Sequence, residues 1–82
     1  MSNTGVSWKY AATVADGKRF EIDKLNIWDN EWIDTGKTIH VKDPLYGKEF
    51  TFPVYEIESK NKKVTFAAGE FSNNMWGIYL PR

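Results

Sequence analysis

The sequence predicts a mainly β chain, folded as one small antiparallel curved sheet or a partly open barrel of five or six strands. Three observations carry this. Aromatic and β-branched residues recur in short runs with a period of two, which is the signature of half-buried strands. Asp-Gly, Thr-Gly, Pro-containing and Ser/Lys/Asn clusters separate the runs, as turn residues separate strands. Finally, eighty-two residues without a single cysteine have neither disulfides nor a thiolate zinc site, so packing alone must hold one core. Four Trp, four Tyr and five Phe supply the area.

Residues 1–5 are small and polar and read as a frayed tail, leaving residues 6–82 as a single β domain. In the first strand Trp8, Tyr10, Ala12 and Val14 alternate with Lys9, Ala11, Thr13 and Ala15. Asp16-Gly17 then turns the chain. A loop of odd length there pairs Val14 with Phe20 and Ala12 with Ile22, which keeps apolar residues on one face.

Residues 18–35 contain neither Gly nor Pro and admit two readings. As strand, Phe20 and Ile22 share a face while Leu25 and Ile27 fall on the other, which requires a bulge or break near Asp23-Lys24. As a short helix over 22–32, Ile22, Leu25, Trp28 and Trp32 line one side and Asp23 caps it. Thr35-Gly36-Lys37 marks a turn before a short strand, Thr38 to Lys42, with Ile39 and Val41 inward and His40 outward. Asp43-Pro44-Leu45-Tyr46-Gly47-Lys48 is a connecting loop.

The stretch from Phe50 to Ala68 is a hairpin around a tip of Ser59, Lys60, Asn61 and Lys62. A loop of two or four residues sets Ile57 opposite Val64 and Tyr55 opposite Phe66, leaving Glu56, Glu58, Lys63 and Thr65 on the wet face. Apolar parity changes around Pro53, so a bend at an edge or bulge is expected there. A loop from Gly69 to Asn74 leads to the last strand, in which Trp76, Ile78 and Leu80 alternate with Gly77 and Tyr79. The result is SH3-like or OB-like in size, with no repeat or low-complexity tract.

Charge excludes some partners. Eleven basic and eleven acidic residues cancel, so no global field favours nucleic acid or an anionic membrane. No apolar run approaches a membrane span of about 20 residues, and Met1 to Gly5 lack the basic and apolar parts of a secretory signal, so the expected location is cytoplasmic.

Motifs for chemistry are weak. Gly36-Lys37-Thr38 ends like a phosphate loop, but Glu31 stands where its first glycine belongs and a strand follows. Asp29, Asn30, Glu31 and Asp34 lack the glycine and ligand spacing of a calcium loop. His40 is the lone histidine, and of the two acids Glu56 and Glu58 that share a strand face, the register sets Glu58 against Lys63. The expectation is therefore no enzyme, no cofactor and no metal. Ring side chains, by contrast, outnumber what so small a core hides. Trp28 and Trp32 flank a polar, acidic stretch, and Tyr46 and Phe71 stand in loops. An interface of Trp28, Asp29, Glu31, Trp32, Asp34, Tyr46 and Phe71 is expected to bind another protein or a second copy of the chain, as an adaptor, inhibitor or regulatory subunit. The alternative is a nucleic-acid module that stacks bases on rings beside Lys60, Lys62 and Lys63, and a weaker third is carbohydrate binding on the same rings.

Overall fold

The computed structural model describes residues 8–43 and 46–82. The expected tail at residues 1–5 and the Pro44-Leu45 part of the connecting loop lie outside them. The chain is built from strands β1 (Trp8–Ala15), β2 (Glu21–Ile22), β3 (Leu25–Asn26), β4 (Ile33–Lys42), β5 (Glu49–Ser59), β6 (Lys62–Ser72) and β7 (Met75–Pro81), with one 3₁₀ turn at Ile27–Asp29. Five of them form an antiparallel sheet in the order β1-β7-β6-β5-β4, and β2 pairs with β3 as a separate small hairpin. The sheet does not close into a barrel, so β1 and β4 are its two edges.

The central hairpin has the expected register, with Tyr55 opposite Phe66, Ile57 opposite Val64 and Glu58 opposite Lys63. Its tip is a two-residue turn in which Lys60 and Asn61 both have positive φ, +50° and +68°, the twist that suits paired strands. Asp23 and Lys24, at +53° and +70°, make the same turn between β2 and β3. The expected break near Asp23-Lys24 is thus a tight hairpin, and the helical reading of 22–32 shrinks to the single turn at Ile27–Asp29.

Four expectations change. First, β1 pairs with β7 instead of with residues 18–22; Asp16-Gly17 still turns, with Lys18 N–H donating to the Ala15 carbonyl at 2.9 Å and Gly17 at φ +78°. Second, the register of β1 slips between Tyr10 and Ala12, so Trp8 and Tyr10 lie on one face while Ala12 and Val14 lie on the other. Third, Thr35-Gly36-Lys37 is a bulge inside β4 rather than a turn, held by Gly36 N–H to Asp34 Oδ1 (2.8 Å) and Thr35 Oγ1 to the Val54 carbonyl (2.8 Å). Fourth, Gly69 to Ser72 belong to β6, where Gly69 pairs with Gly77.

Parity along β5 changes because both faces of the sheet carry a core, not because the strand bends. Tyr55 and Ile57 join Val14, Phe66, Ala68 and Ile78 on one face, under a strap formed by residues 18–32. Phe52 and Val54 join Val41, Ala67 and Tyr79 on the other, beneath Trp8, Ile39, Phe50 and Phe71. Pro53 stands opposite Thr38, where the β4 bulge ends, so its missing donor falls beside a ladder that is already interrupted. The molecule is a slab of 36 × 35 × 19 Å, little thicker than two packed layers.

Candidate functional site

The strap that covers the first face begins with a chain reversal and is stitched by one residue. Asn26 accepts the Phe20 N–H on its side-chain oxygen at 3.0 Å and the Asn30 side-chain amide on its carbonyl at 3.0 Å, while Ile27 N–H donates to the Phe20 carbonyl at 3.0 Å. These bonds bring the 3₁₀ turn over the sheet and bury Ile27 completely. Trp32 is then locked by its indole N–H, which donates to the Ile27 carbonyl at 2.6 Å.

Trp32 is the hub of the resulting ring cluster. Its centroid lies 5.1 Å from Trp28 and 5.1 Å from Tyr55 in tilted pairs, and 5.0 Å from Phe66 and 5.6 Å from Trp76 edge-to-face. Trp28 and Trp32 are half-buried, so each indole is both a lid over the core and an edge at the surface. The indole N–H groups of Trp28 and Trp76 are buried without an acceptor among the described residues. Such donors carry a desolvation cost of roughly 1–3 kcal/mol each and single out this cluster as the least satisfied part of the fold.

Around the cluster stand Asp29, Glu31 and Asp34, all exposed. Among the described residues none of the three is in an ion pair, whereas Arg19 with Glu21, Lys62 with Asp23 (3.9 Å) and Lys63 with Glu58 (3.6 Å) are paired. Asp34 lies directly across the ladder from Tyr55. Burial, and then the charge of Asp34, raise the Tyr55 hydroxyl pKa above its ordinary value of 10.0. Ile33, 44% exposed, pairs with Glu56 across the ladder, so its side chain lies on the opposite sheet face from Asp34 and Tyr55 and outside this patch.

The other residues expected at the interface are elsewhere. Tyr46, 86% exposed, and half-buried Phe71 line a cleft of about 250 Å³ with Thr13, Asp43, Ser72 and Met75. Phe71 packs on the Phe50, Phe52 and Tyr79 rings of the second core. The seven residues therefore split: Trp28, Asp29, Glu31, Trp32 and Asp34 gather in one patch, and Tyr46 and Phe71 in a separate cleft. Sequence reasoning missed Asn26, Tyr55 and Trp76 as parts of the patch. For Trp76 the signal was its shared parity with Ile78; for Asn26 there was none, because its role depends on the strap's path.

At the hairpin tip two of the three lysines are committed to acids, Lys62 to Asp23 and Lys63 to Glu58. His40 is exposed, with Nδ1 3.1 Å from the Thr51 hydroxyl across the ladder. Gly36, at φ +84°, sits in a strand bulge and not at the start of a helix. Among the described residues no three His, Asp or Glu side chains converge as metal ligands, and no helix is long and apolar enough to cross a membrane. No family model matches the chain, and no curated protein or solved structure does so either.

Proposed function

We propose that this chain is a non-enzymatic binding domain that recognises another protein through the Trp28–Asp34 patch. The observation that carries the reading is the company Trp32 keeps: a packed cluster of large rings, half open to water, bordered by three carboxylates in no ion pair among the described residues. Packed aromatics act as anchors at low entropic cost, since their rotamers are fixed before the partner arrives. The carboxylates select the partner's charge, so the ligand is a protein segment presenting an apolar side chain flanked by Lys or Arg.

The nucleic-acid alternative is the weaker of the two, because Lys62 and Lys63 already face carboxylates and little unpaired positive charge is left for phosphates.

Immobilised protein tests the reading. Proteins captured by the wild type are expected to be lost with Asp29→Lys/Glu31→Lys, a pair of exposed positions whose reversal leaves the ring cluster intact. They are expected to be retained with Lys60→Glu. Identical capture by wild type and the Asp29/Glu31 variant, or loss on Lys60→Glu instead, would overturn it.

A further inference from the structure

The bond from the Tyr79 hydroxyl to the Lys42 carbonyl, 3.2 Å long, joins β7 to the end of β4. In the sheet order those strands stand three spacings apart, roughly 14 Å if the sheet were flat. The sheet therefore curls toward its second face, and the curl leaves a mouth beside the loop that joins β4 to β5. A cleft of about 250 Å³ opens there, lined by Thr13 of β1, Phe71 and Ser72 of β6, Met75 of β7, and Asp43 and Tyr46 of the loop. Its walls come from the start, middle and end of the chain, so the fold builds the cleft and no single segment does.

No Lys, Arg or His is among these residues, so the formal charge of the lining is the carboxylate of Asp43. Asp43 is only 9% exposed. A charge so sheltered from water is weakly screened and acts strongly on a cation brought beside it. Backbone bonds fix its place: its N–H donates to the Lys48 carbonyl at 2.7 Å, and its own carbonyl accepts from the Gly47 N–H at 2.8 Å. Tyr46 is 86% exposed and Phe71 half-buried, and aromatic faces attract cations. With the Met75 thioether these rings also give an alkyl chain an apolar wall.

We infer that this cleft takes the side chain of a lysine from another protein, with its alkyl stem against Tyr46, Phe71 and Met75 and its ammonium beside Asp43. Size favours one side chain over a small-molecule ligand. Small-molecule sites typically measure about 300–1,000 Å³ and enclose most of what they hold, whereas this cleft is smaller and open where Tyr46 stands. Chemistry favours lysine over arginine. A compact ammonium turns its three donors separately, and the Asp43 carboxylate and the Thr13 and Ser72 hydroxyls reach the cleft from three different elements. A planar guanidinium instead needs acceptors matched to its fork. Thr13 is already joined to the Tyr10 hydroxyl at 2.6 Å, which steadies its side chain. The cleft is separate from the Trp28–Asp34 patch, so the inference does not rest on what that patch binds.

Heteronuclear NMR of the isotope-labelled full chain, titrated with Nα-acetyl-lysine amide, tests this. The Thr13, Tyr46, Ser72 and Met75 amides are expected to shift together and saturate with a dissociation constant of about 1–10 mM, the range open to one side chain. The neutral norleucine analogue is expected to bind at least about tenfold more weakly, as is the lysine amide to Asp43→Asn. Tyr46→Ala, at an exposed position that folding does not need, is expected to weaken binding about two- to fivefold. Asp29→Lys/Glu31→Lys is expected to leave it within about twofold. Circular dichroism checks that each variant is folded, and Tyr46→Ala decides the matter if Asp43→Asn is not. No saturable shift at the cleft, equal binding of norleucine and lysine amides, or indifference to Tyr46→Ala would each overturn the inference. So would tighter binding of free n-butylammonium or of the arginine amide than of the lysine amide.

Discussion

Gly69 and Gly77 face each other across β6 and β7, in the middle of a sheet where glycine is otherwise a poor choice. The space their missing side chains leave is filled by rings. A Cβ on Gly69 would fall within the Phe52 ring, and one on Gly77 within the Phe71 ring, so these aromatics lie directly on bare backbone. Neither glycine needs its conformational freedom; each is required by close approach. Gly69→Ala and Gly77→Ala are expected to destabilise by about 1–3 kcal/mol each, the cost of overpacking. Urea unfolding should show this as a lower midpoint with an unchanged slope. Titration at single residues gives a second expectation. The Tyr79 hydroxyl donates to the Lys42 carbonyl at 3.2 Å, and burial, then Tyr10, then Asp43 raise its pKa above 10.0. Tyr55 is raised too, by burial first and Asp34 second. Above pH 10.0 the unfolded chain releases these protons while the folded chain still holds them, so the stability they confer is complete below that pH and declines above it. Tyr55→Phe/Tyr79→Phe is expected to be less stable at neutral pH, by about 1 kcal/mol for the lost hydrogen bond, yet to show a shallower fall when unfolding is followed above about pH 10. An equal slope in wild type and variant would contradict the assignment.

Two hairpins use the same left-handed turn with very different visibility. Lys60-Asn61 was legible because polar residues interrupt two β-rich runs whose apolar positions meet only in one register. Asp23-Lys24 was legible only as a break, since neither residue is the glycine that such a turn favours. The same distinction runs through the fold. Period-two runs located β1, β5 and β7, and local register followed from burial on one face. The pairing of β1 with β7 did not, because Trp8 meets Pro81 from the far end of the chain and no local pattern encodes that contact. Bulges at Ala11 and at Thr35–Lys37 hid strand continuity, and a sheet with a core on each face made β5 look bent. Of the candidate patch, the Trp28–Asp34 segment was legible from rings beside acids. The placing of Tyr46 and Phe71 elsewhere was not, because it depends on which face each strand presents. At the level of the element, Lys24 invites a substitution. Its φ of +70° costs a side-chain-bearing residue about 1 kcal/mol, which glycine avoids. Lys24→Gly keeps the Lys62–Asp23 contact and is expected to raise stability by roughly that amount, read from a shifted urea midpoint. A loss of stability would show that the hairpin's turn is not strained.

Connectivity decides how the whole molecule comes together. β4 to β7 are joined in sequence, each strand to its neighbour, and can assemble as a meander. β1 instead pairs with the far end of the chain: it runs along β7, Trp8 opposite Pro81 and Ala15 opposite Met75, while the strap of residues 18–32 must cross the sheet before the first core closes. Contacts spanning nearly the whole chain slow folding, because the entropy of closing the loop is lost before the contacts form. The same pairing sets the start of β1 against the end of β7, so a short Gly-Ser link from Arg82 to the residues before Trp8 spans neighbouring strands. A circular permutant made this way and opened between Lys60 and Asn61 would turn β7 and β1 into a local hairpin and separate β5 from β6 in sequence. It is expected to fold to the same sheet, with the same tryptophan emission from the half-buried cluster. Its stability should be lower, by about 1–2 kcal/mol for the lost turn. If docking of β1 limits the rate, the permutant refolds faster than the parent in stopped-flow fluorescence despite that lower stability. If formation of the β5–β6 hairpin limits it, refolding is slower, and the central hairpin rather than the closure of the chain's ends is the rate-determining structure.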